Sequence, residues 1–141
     1  AIIPITVPKN PTMGATAMVA ETKLRVWNRT RGVVLTSAAD IANTSQKRRD
    51  GLLKRSGLEP GEGLWIVPCE AVHCFFMKFT IDVLFLTKDK RVAKVRPSLK
   101  PWRLAACLRA HSVLELAEGV IAATGTQKGD QLEFEKVELE V

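Results

Sequence analysis

Apolar and polar residues alternate with a period of two along much of the chain, which is the pattern of half-buried β-strands. Residues 23–27 alternate in this way, and residues 33–35 resume a β-branched run after five turn-forming residues. Residues 82–86 and 91–95 are apolar-rich runs separated by a short polar segment. Because short apolar runs joined by such turns are typical of hairpins, the pattern predicts two β-hairpins.

Three further strands are predicted between and after these hairpins. Residues 64–67 form an apolar run that Pro68 terminates, and residues 112–116 form a second one. Apolar residues also alternate within residues 131–140, but the alternation slips by one near Glu135. A β-bulge would produce such a slip, so we expect a long, bent final strand.

Two segments have the features of helices. Residues 44–55 open with a Thr or Ser suited to an N-cap and are followed by Gly57 in a C-cap position, so they predict the main helix. Its main apolar residues are Leu52 and Leu53, which predicts a helix on the surface. The alanine-rich piece within residues 118–125 predicts about two turns of a second helix.

About seven short strands with one main surface helix and one short helix predict a mainly β fold, either a compact barrel or a sandwich. A chain of 141 residues suffices for one core, so residues 21–141 are predicted to form a single β-rich domain. Residues 1–20 contain three prolines and are predicted to be a disordered or loosely attached segment, with the native start left open.

No window of the sequence approaches the roughly 18 to 20 consecutive apolar residues of a membrane-spanning helix, so no membrane span is predicted. The first twenty residues have no basic cluster ahead of an apolar core and make a poor secretory signal. Three cysteines are an odd number in a chain too long to need disulfide staples, which favours a reducing compartment. A cytoplasmic location is therefore predicted, with an exported form as the alternative.

The chain has 21 Lys and Arg against 15 Asp and Glu, a formal net charge of +6. Basic residues concentrate on the predicted main helix, at Lys47, Arg48, Arg49, Lys54 and Arg55. Such a face could bind phosphates in a salt-dependent way, but few aromatic residues are interleaved with it. A solvated face is therefore favoured, and nucleic acid is not expected as a partner.

Six short motifs occur in an order that resembles one small prokaryotic family. They are Arg49-x-Gly51-Leu52-Leu53-x-Arg55, Gly61-x-Gly63-Leu64-Trp65-Ile66, His73-x-x-x-Met77-x-Phe79-x-Ile81-Asp82-Val83-Leu84-Phe85-Leu86, Pro101-Trp102-Arg103, Val113-Leu114-Glu115-Leu116 and Gly129-Asp130. Over about residues 24–138 the chain is similar to the family catalogued as domain of unknown function 192, a set of uncharacterised conserved proteins. The resemblance implies a compact mainly β fold of sandwich or jelly-roll type, with no assigned reaction, cofactor or partner. Phe79 stands where the family usually has Asn, and no Pro precedes Asp82, which resembles a distinct subgroup.

Residues 73–86 form a nearly unbroken apolar run interrupted by one histidine, one lysine and Asp82. An ionised carboxylate in such a run is costly unless it is hydrogen-bonded or paired, so Asp82 is predicted to have a dedicated partner. Arg103 or Arg49 could supply a bidentate guanidinium. The structural interpretation is a buried ion pair that fixes the connection 97–111, predicted to be irregular, onto the barrel.

The functional interpretation of the same residues is a ligand pocket with a polar floor and an apolar rim, suited to a small amphiphilic or anionic ligand. The candidate ligand-binding residues are His73, Phe75, Met77, Phe79, Asp82, Trp102, Arg103, Glu115 and Arg49. Glu115 has two interpretations, since it could serve this site or face solvent on an edge strand.

Two Cys-x-x-x-His pairs, Cys69 with His73 and Cys107 with His111, have the ligand count of a structural zinc site. Free cysteines are commonly buried for packing alone, so no metal is predicted and this set is a minor alternative. His73 near Cys74 or Cys107 could also activate a thiolate. No nucleophile signature surrounds either cysteine, so buried structural cysteines are favoured.

Three classes of function remain. The favoured one is a non-enzymatic β domain that binds a small ligand or a protein partner, as a monomer or weak dimer. The alternative is an enzyme that uses Asp82, His73 and Arg103 on a small anionic substrate. The second alternative is a nucleic-acid accessory protein that uses the basic helix. Phosphate-loop, metal-hydrolase and Gly-x-Ser-x-Gly motifs do not occur in the sequence, so no catalytic residue is assigned and no cofactor is predicted.

Overall fold

The structure is a computed structural model that describes residues 2–3, 20–74 and 77–140. The strands are β1 (Ile2–Ile3), β2 (Ala20–Asn28), β3 (Val33–Ala42), β4 (Glu62–Ile66), β5 (Ala71–His73), β6 (Ile81–Leu86), β7 (Val92–Leu99), β8 (Leu104–Ala106), β9 (Ser112–Ala117) and β10 (Leu132–Glu140), and the helices are α1 (Ser45–Asp50) and α2 (Val120–Thr124). The predicted mainly β fold with two helices is confirmed. Within the described residues, neither helix has the length and apolar character that crossing a membrane requires.

Eight strands form one mixed sheet in the order β1-β10-β2-β3-β4-β9-β6-β7, and β5 and β8 form a separate two-stranded ribbon. The predicted hairpins are β2–β3 and β6–β7, both antiparallel. The large sheet curls, because the start of β7 meets the start of β10 at a bridge between Arg91 and Gln131. In the described part of the chain this contact extends over only a few backbone hydrogen bonds, so the sheet does not close into a full barrel.

Hydrophobic side chains pack on both faces of this sheet. On β6, Leu84 and Leu86 belong to an inner cluster inside the curl, whereas Val83 and Phe85 belong to an outer cluster. Both β6 and β9 are buried along their whole length, which explains why their sequences are mostly apolar and do not alternate. The ribbon and the segment after α1, including Leu52, cover the outer cluster.

The main helix is shorter than predicted. Thr44 is its N-cap, as expected, and its side-chain oxygen accepts a hydrogen bond from the backbone N–H of Lys47 at 3.2 Å. The helix ends at Asp50 and not near residue 55, because Gly51 adopts a positive φ of 47°. The turn that follows carries Leu52 into the outer cluster, so this leucine is buried by the turn and not by a helical stripe.

Two expectations about the strands were wrong. β10 pairs with β2 in one continuous register from Leu132 to Glu140, so no bulge lies near Glu135. The slip in alternation reflects a change of the buried face, since Leu132 and Val137 are both buried but lie on opposite faces of a regular strand. The connection 97–111 is also more regular than predicted, because it contains β8.

Ile2 and Ile3 belong to the segment that was predicted to be loosely attached, and they pair in parallel with Lys136 and Val137 of β10. Residues 4–19 lie outside the described residues. The division of the chain into a loose segment and one domain therefore stays a prediction.

Candidate functional site

A cavity of about 300 Å³ lies over the outer face of the sheet, where residues of α1, β4, β5 and β9 meet. Its wall combines cationic, acidic, sulfur-containing and apolar side chains, which include Arg48, Arg49, Leu52, Ile66, Cys69, His73, Met77 and Glu115. Four of the residues predicted from the sequence, Arg49, His73, Met77 and Glu115, are therefore brought together in one place.

Glu115 faces this cavity because of its position in the sheet. It lies on β9, which runs between β4 and β6, and it pairs with Leu64 on one side and Val83 on the other. Its neighbours Leu114 and Leu116 belong to the inner cluster, so strand alternation directs Glu115 to the outer face. The alternative that this residue faces solvent on an edge strand is wrong.

The carboxyl group of Glu115 is buried, with 5% of the residue exposed. Among the described residues, no group forms a hydrogen bond or an ion pair with it. Burial alone raises its pKa to about 7, since the charged form loses hydration without gaining a partner. Near neutral pH the group can therefore act either as a neutral hydrogen-bond donor or as a carboxylate.

Two arginines and a histidine border the same cavity. Arg48 and Arg49 come from the last turn of α1, and His73 is the last residue of β5. Arg48 is half-buried, whereas Arg49 and His73 are exposed. Within the described residues, the ion pairs do not involve either arginine. Their positive charge is thus free to interact with an anionic ligand.

Two cysteines near the cavity have raised pKa values. Burial raises the pKa of the Cys69 thiol, which donates a hydrogen bond to the carbonyl oxygen of Ala71 at 3.1 Å. Burial, with a smaller contribution from the charge of Glu115, raises the pKa of Cys74 to about 11. Both groups are therefore held as thiols, which argues against Cys74 as the nucleophile considered from the sequence.

The residues of the alternative zinc set are only partly brought together. The backbone N–H of Cys69 donates to the carbonyl oxygen of His111 at 2.9 Å, and that of Cys107 donates to the carbonyl oxygen of Glu70 at 2.8 Å. No group of three or more His, Cys, Asp or Glu side chains in the described ranges could hold a metal ion. The geometry therefore gives this alternative no support.

Asp82 lies on the inner face of β6, away from the cavity. Its carboxylate accepts backbone hydrogen bonds from Ser98 at 2.9 Å, from Gly119 at 3.1 Å and from Ile121 at 2.8 Å. The predicted dedicated partner exists, but it is the backbone and not a guanidinium. The carboxylate therefore joins the start of α2 to β7 near Ser98, which is a structural role.

The remaining candidates lie around the ribbon. Trp102 and Arg103 are exposed in the connection before β8, and among the described residues Arg103 forms no ion pair with Asp82. The predicted polar floor, in which Arg103 pairs with Asp82, was therefore wrong. Phe79 is half-buried against the outer cluster, and Phe75 lies outside the described residues.

The wall residues that sequence reasoning missed include Arg48, Leu52 and Ile66. Arg48 was interpreted as part of a solvated basic face, because the predicted helix continued for another turn. The signal that could have corrected this was Gly51, since a glycine within a helical pattern often marks the end of the helix.

A neighbouring cavity of about 530 Å³ also borders α1, and its wall includes Asp40, Lys47 and Arg55. Asp40 forms ion pairs with both Lys23 and Arg55. Because these charges satisfy one another, this second cavity contains no unpaired acid comparable with Glu115.

The fold and the site together define a mainly β protein whose curled sheet, ribbon and short helix enclose a small cavity over a buried carboxyl group. A family model for domain of unknown function 192, described as an Uncharacterized ACR, matches residues 26–134. The chain belongs to this family, as the order of its motifs indicated.

Archaeal relatives are similar to the chain over most of its length. The UPF0127 protein of Thermococcus sibiricus is 32% identical over 114 residues, which cover 77% of this chain and 73% of the relative. A UPF0127 protein of Pyrococcus abyssi is 32% identical over 116 residues, which cover 77% of this chain and 96% of the relative. These names state no activity, so the function has to be argued from the site.

Two solved structures share the fold. A protein of unknown function from Novosphingobium aromaticivorans superposes with a TM-score of 0.69 at 23% identity, covering 91% of this chain and 93% of that one. A proposed transcription regulator from Sinorhizobium meliloti superposes with a TM-score of 0.70 at 21% identity, covering 86% of this chain and 98% of that one. At such low identity the likeness shows the fold alone.

Proposed function

We propose that this protein is a non-enzymatic β domain that binds a small ligand in the cavity over Glu115. The observation that carries the proposal is a carboxyl group that is 5% exposed, lines a cavity and has no partner in the described residues. A buried polar group without a hydrogen bond costs about 1–3 kcal/mol. A ligand that supplies the missing hydrogen bond would offset this cost.

The wall of the cavity indicates the chemical class of the ligand. Arg48 and Arg49 favour an anionic group near α1, while Leu52 and Met77 offer apolar contacts. Glu115 favours a hydrogen-bonding group on the ligand. Since 300 Å³ is at the lower end of ligand-pocket sizes, the ligand is a small organic anion with a second polar group, such as an amino acid or a hydroxy acid.

The same observations weigh against the enzymatic alternative. Asp82 was its acid or base, but this carboxylate accepts three backbone hydrogen bonds on the inner face of the sheet. Cys69 and Cys74 have raised pKa values, so they offer no activated nucleophile. Glu115 has a pKa suited to acid-base chemistry, but no nucleophile or orienting group contacts it among the described residues.

Isothermal titration with a panel of amino acids, hydroxy acids, dicarboxylates and phosphomonoesters tests the proposal, after a thermal-shift screen selects the compounds. Arg49→Gln should weaken binding of a selected anion about tenfold or more, because a charge-assisted contact is lost. Lys47→Gln is the matched control, since Lys47 lies on the same helix but lines the neighbouring cavity. Glu115→Leu should abolish binding.

Two results would overturn the proposal. One is a panel in which no compound shifts the melting temperature, together with native mass spectrometry of freshly purified protein that shows only the bare chain. The other is a bound compound whose affinity Arg49→Gln and Lys47→Gln reduce equally, because its site would then lie outside this cavity.

A further inference from the structure

Three large apolar side chains are exposed close together in the chain. Trp102 is 57% exposed, Leu104 is 65% exposed and Leu108 is 85% exposed, the three highest values for large apolar residues in the described ranges. Ala105 between them is buried. Single exposed apolar residues are ordinary on a protein surface, but a cluster of them marks an interaction site.

The segment that carries these side chains is held firmly. Leu104 lies on β8, which pairs with β5 across the ribbon. Before β8, the backbone N–H of Trp102 donates to the carbonyl oxygen of Cys74 at 2.8 Å, and after β8, that of Cys107 donates to Glu70 at 2.8 Å. The apolar side chains are therefore presented by a hydrogen-bonded ribbon and are not exposed by fraying.

Basic residues surround these apolar side chains. Residues 90–114 include seven Lys and Arg and no Asp or Glu. Arg103 and Arg109 are exposed within the segment, and the Nζ of Lys94 donates to the carbonyl oxygen of Ala106 at 2.9 Å. Lys94 is thus close to β8 in space, and Arg103 and Arg109 are close to the apolar residues in sequence.

Two acidic residues from other parts of the chain approach this region. The carbonyl oxygen of Glu70 accepts a hydrogen bond from the backbone N–H of Cys107, the residue after β8. The carboxylate of Glu118 accepts a hydrogen bond from the hydroxyl of Ser98 at 3.3 Å. Neither forms an ion pair with a basic side chain in the described part of the chain. Seven Lys and Arg in residues 90–114 outnumber these two acids, so the region has an excess of positive charge.

We propose that the ribbon docks on an anionic lipid surface. The residues that make the contact, called the ribbon surface below, are Lys94, Trp102, Arg103, Leu104, Leu108 and Arg109. Tryptophan is favoured at the boundary between lipid and water, and exposed leucines gain from entering the acyl region. Lysine and arginine are attracted to anionic headgroups at the same depth.

The mixture of charges with apolar residues favours a lipid over a protein partner. The buried centre of a protein interface is depleted of charged residues, and an unpaired cation there is costly. At a lipid surface, Arg103 and Arg109 can keep their guanidinium groups among phosphates while Leu104 and Leu108 enter the apolar layer.

Docking does not depend on the ligand cavity, although the two are close. β5 pairs with β8 of the ribbon surface, and His73 of β5 lines the cavity. None of the six residues of the ribbon surface lines the cavity, so this test remains readable if the cavity binds no ligand.

Co-sedimentation with vesicles of phosphatidylcholine, with and without about one third phosphatidylglycerol, tests the proposal at low and moderate salt. The wild type should bind the anionic vesicles, and the binding should fall as salt rises. Leu108→Ser should lower the partition coefficient about tenfold and Arg109→Gln about fivefold. Val34→Ser, at an apolar residue 41% exposed on β3, and Lys47→Gln on α1 are the controls and should leave binding unchanged.

Three results would overturn the proposal. The first is no binding to anionic vesicles at low salt, and the second is an equal loss of binding in Leu108→Ser and Val34→Ser. The third is concentration-dependent self-association, measured by light scattering, that Leu108→Ser abolishes. That result would assign the ribbon surface to a second copy of the chain.

Discussion

Replacing Glu115 by glutamine is expected to remove most of the dependence of stability on pH that this site causes. Glutamine has nearly the same shape, so the substitution preserves the packing over β9. The carboxyl group has no partner among the described residues, so no ion pair is lost. What changes is that the side chain no longer has a charged form that is costly to bury.

The magnitude follows from the raised pKa of Glu115, about 7 in the folded protein against an ordinary value of 4.5. Between these values the folded state binds a proton that the unfolded state has released. The contribution of Glu115 to stability is therefore greatest below the unfolded pKa and is lost as pH rises through the folded one. The difference corresponds to about 3 kcal/mol, a large part of the roughly 5–15 kcal/mol of a typical domain.

Urea unfolding followed by tryptophan fluorescence, at several pH values from about 5 to about 8, measures the effect. The glutamine variant should gain roughly 2–3 kcal/mol over the wild type between the two ends of this range. Glu133→Gln is the control, since Glu133 is exposed on β10 and should give curves parallel to the wild type.

Parallel curves for the wild type and Glu115→Gln would refute the reasoning. They would mean that the folded protein hydrates or pairs this carboxyl group as well as the unfolded chain does. The cavity would then lack the unpaired buried acid on which the proposed ligand site depends.

Three further substitutions test the fold around the site. Asp82→Ala should lower the free energy of unfolding by roughly 2–4 kcal/mol in urea titrations, because three backbone N–H groups lose their acceptor, and unchanged stability would contradict that role. Burial raises the pKa of Asp130, but the hydrogen bond from Arg31 outweighs this effect and holds the pKa below its ordinary value. The stabilisation by Asp130 is therefore lost as pH falls through the folded pKa. Asp130→Asn should flatten the acid limb of a plot of melting temperature against pH. Gly63→Ala should cost about 1–3 kcal/mol by chemical denaturation, since its Cβ would lie 3.1 Å from a backbone oxygen, whereas Gly57→Ala meets open space and should not destabilise.

The hairpins and the short helix could be predicted because each has a local signal. Four turn-forming residues separate β2 from β3, and Gly125 ends α2 in a left-handed conformation that glycine adopts readily. These signals depend on residues that are neighbours in the chain, so they can be recognised without knowing the rest of the fold.

The ribbon could not be predicted for the opposite reason. β5 and β8 have three residues each, and their sequences Ala71–His73 and Leu104–Ala106 contain no alternation long enough to recognise. Their pairing joins segments more than thirty residues apart in the sequence, and it is stabilised by Val72 and Ala105 packing on the outer cluster. Such pairing depends on tertiary context, which a local pattern does not contain.

The candidate site could be predicted only in part, because Asp82 and Glu115 lie in equally apolar strands. Asp82 and Glu115 were both noted, but the sequence does not say which face of its strand each one occupies when both faces are buried. The structure separates them. Asp82 meets the start of α2 on the inner face, and Glu115 meets a cavity on the outer one.

This separation distinguishes the residues that the fold needs from those that it does not. Gly63 allows β4 to approach β9, and Asp82 and Asp130 supply acceptors that join distant segments, so each of these residues stabilises the structure. Glu115 does the reverse, since its burial raises its pKa and lowers stability near neutral pH. A group that destabilises the fold in a well-packed strand has to be explained by something other than folding. A ligand bound in the adjacent cavity, which Arg49 also borders, would explain why the carboxyl group of Glu115 is buried there.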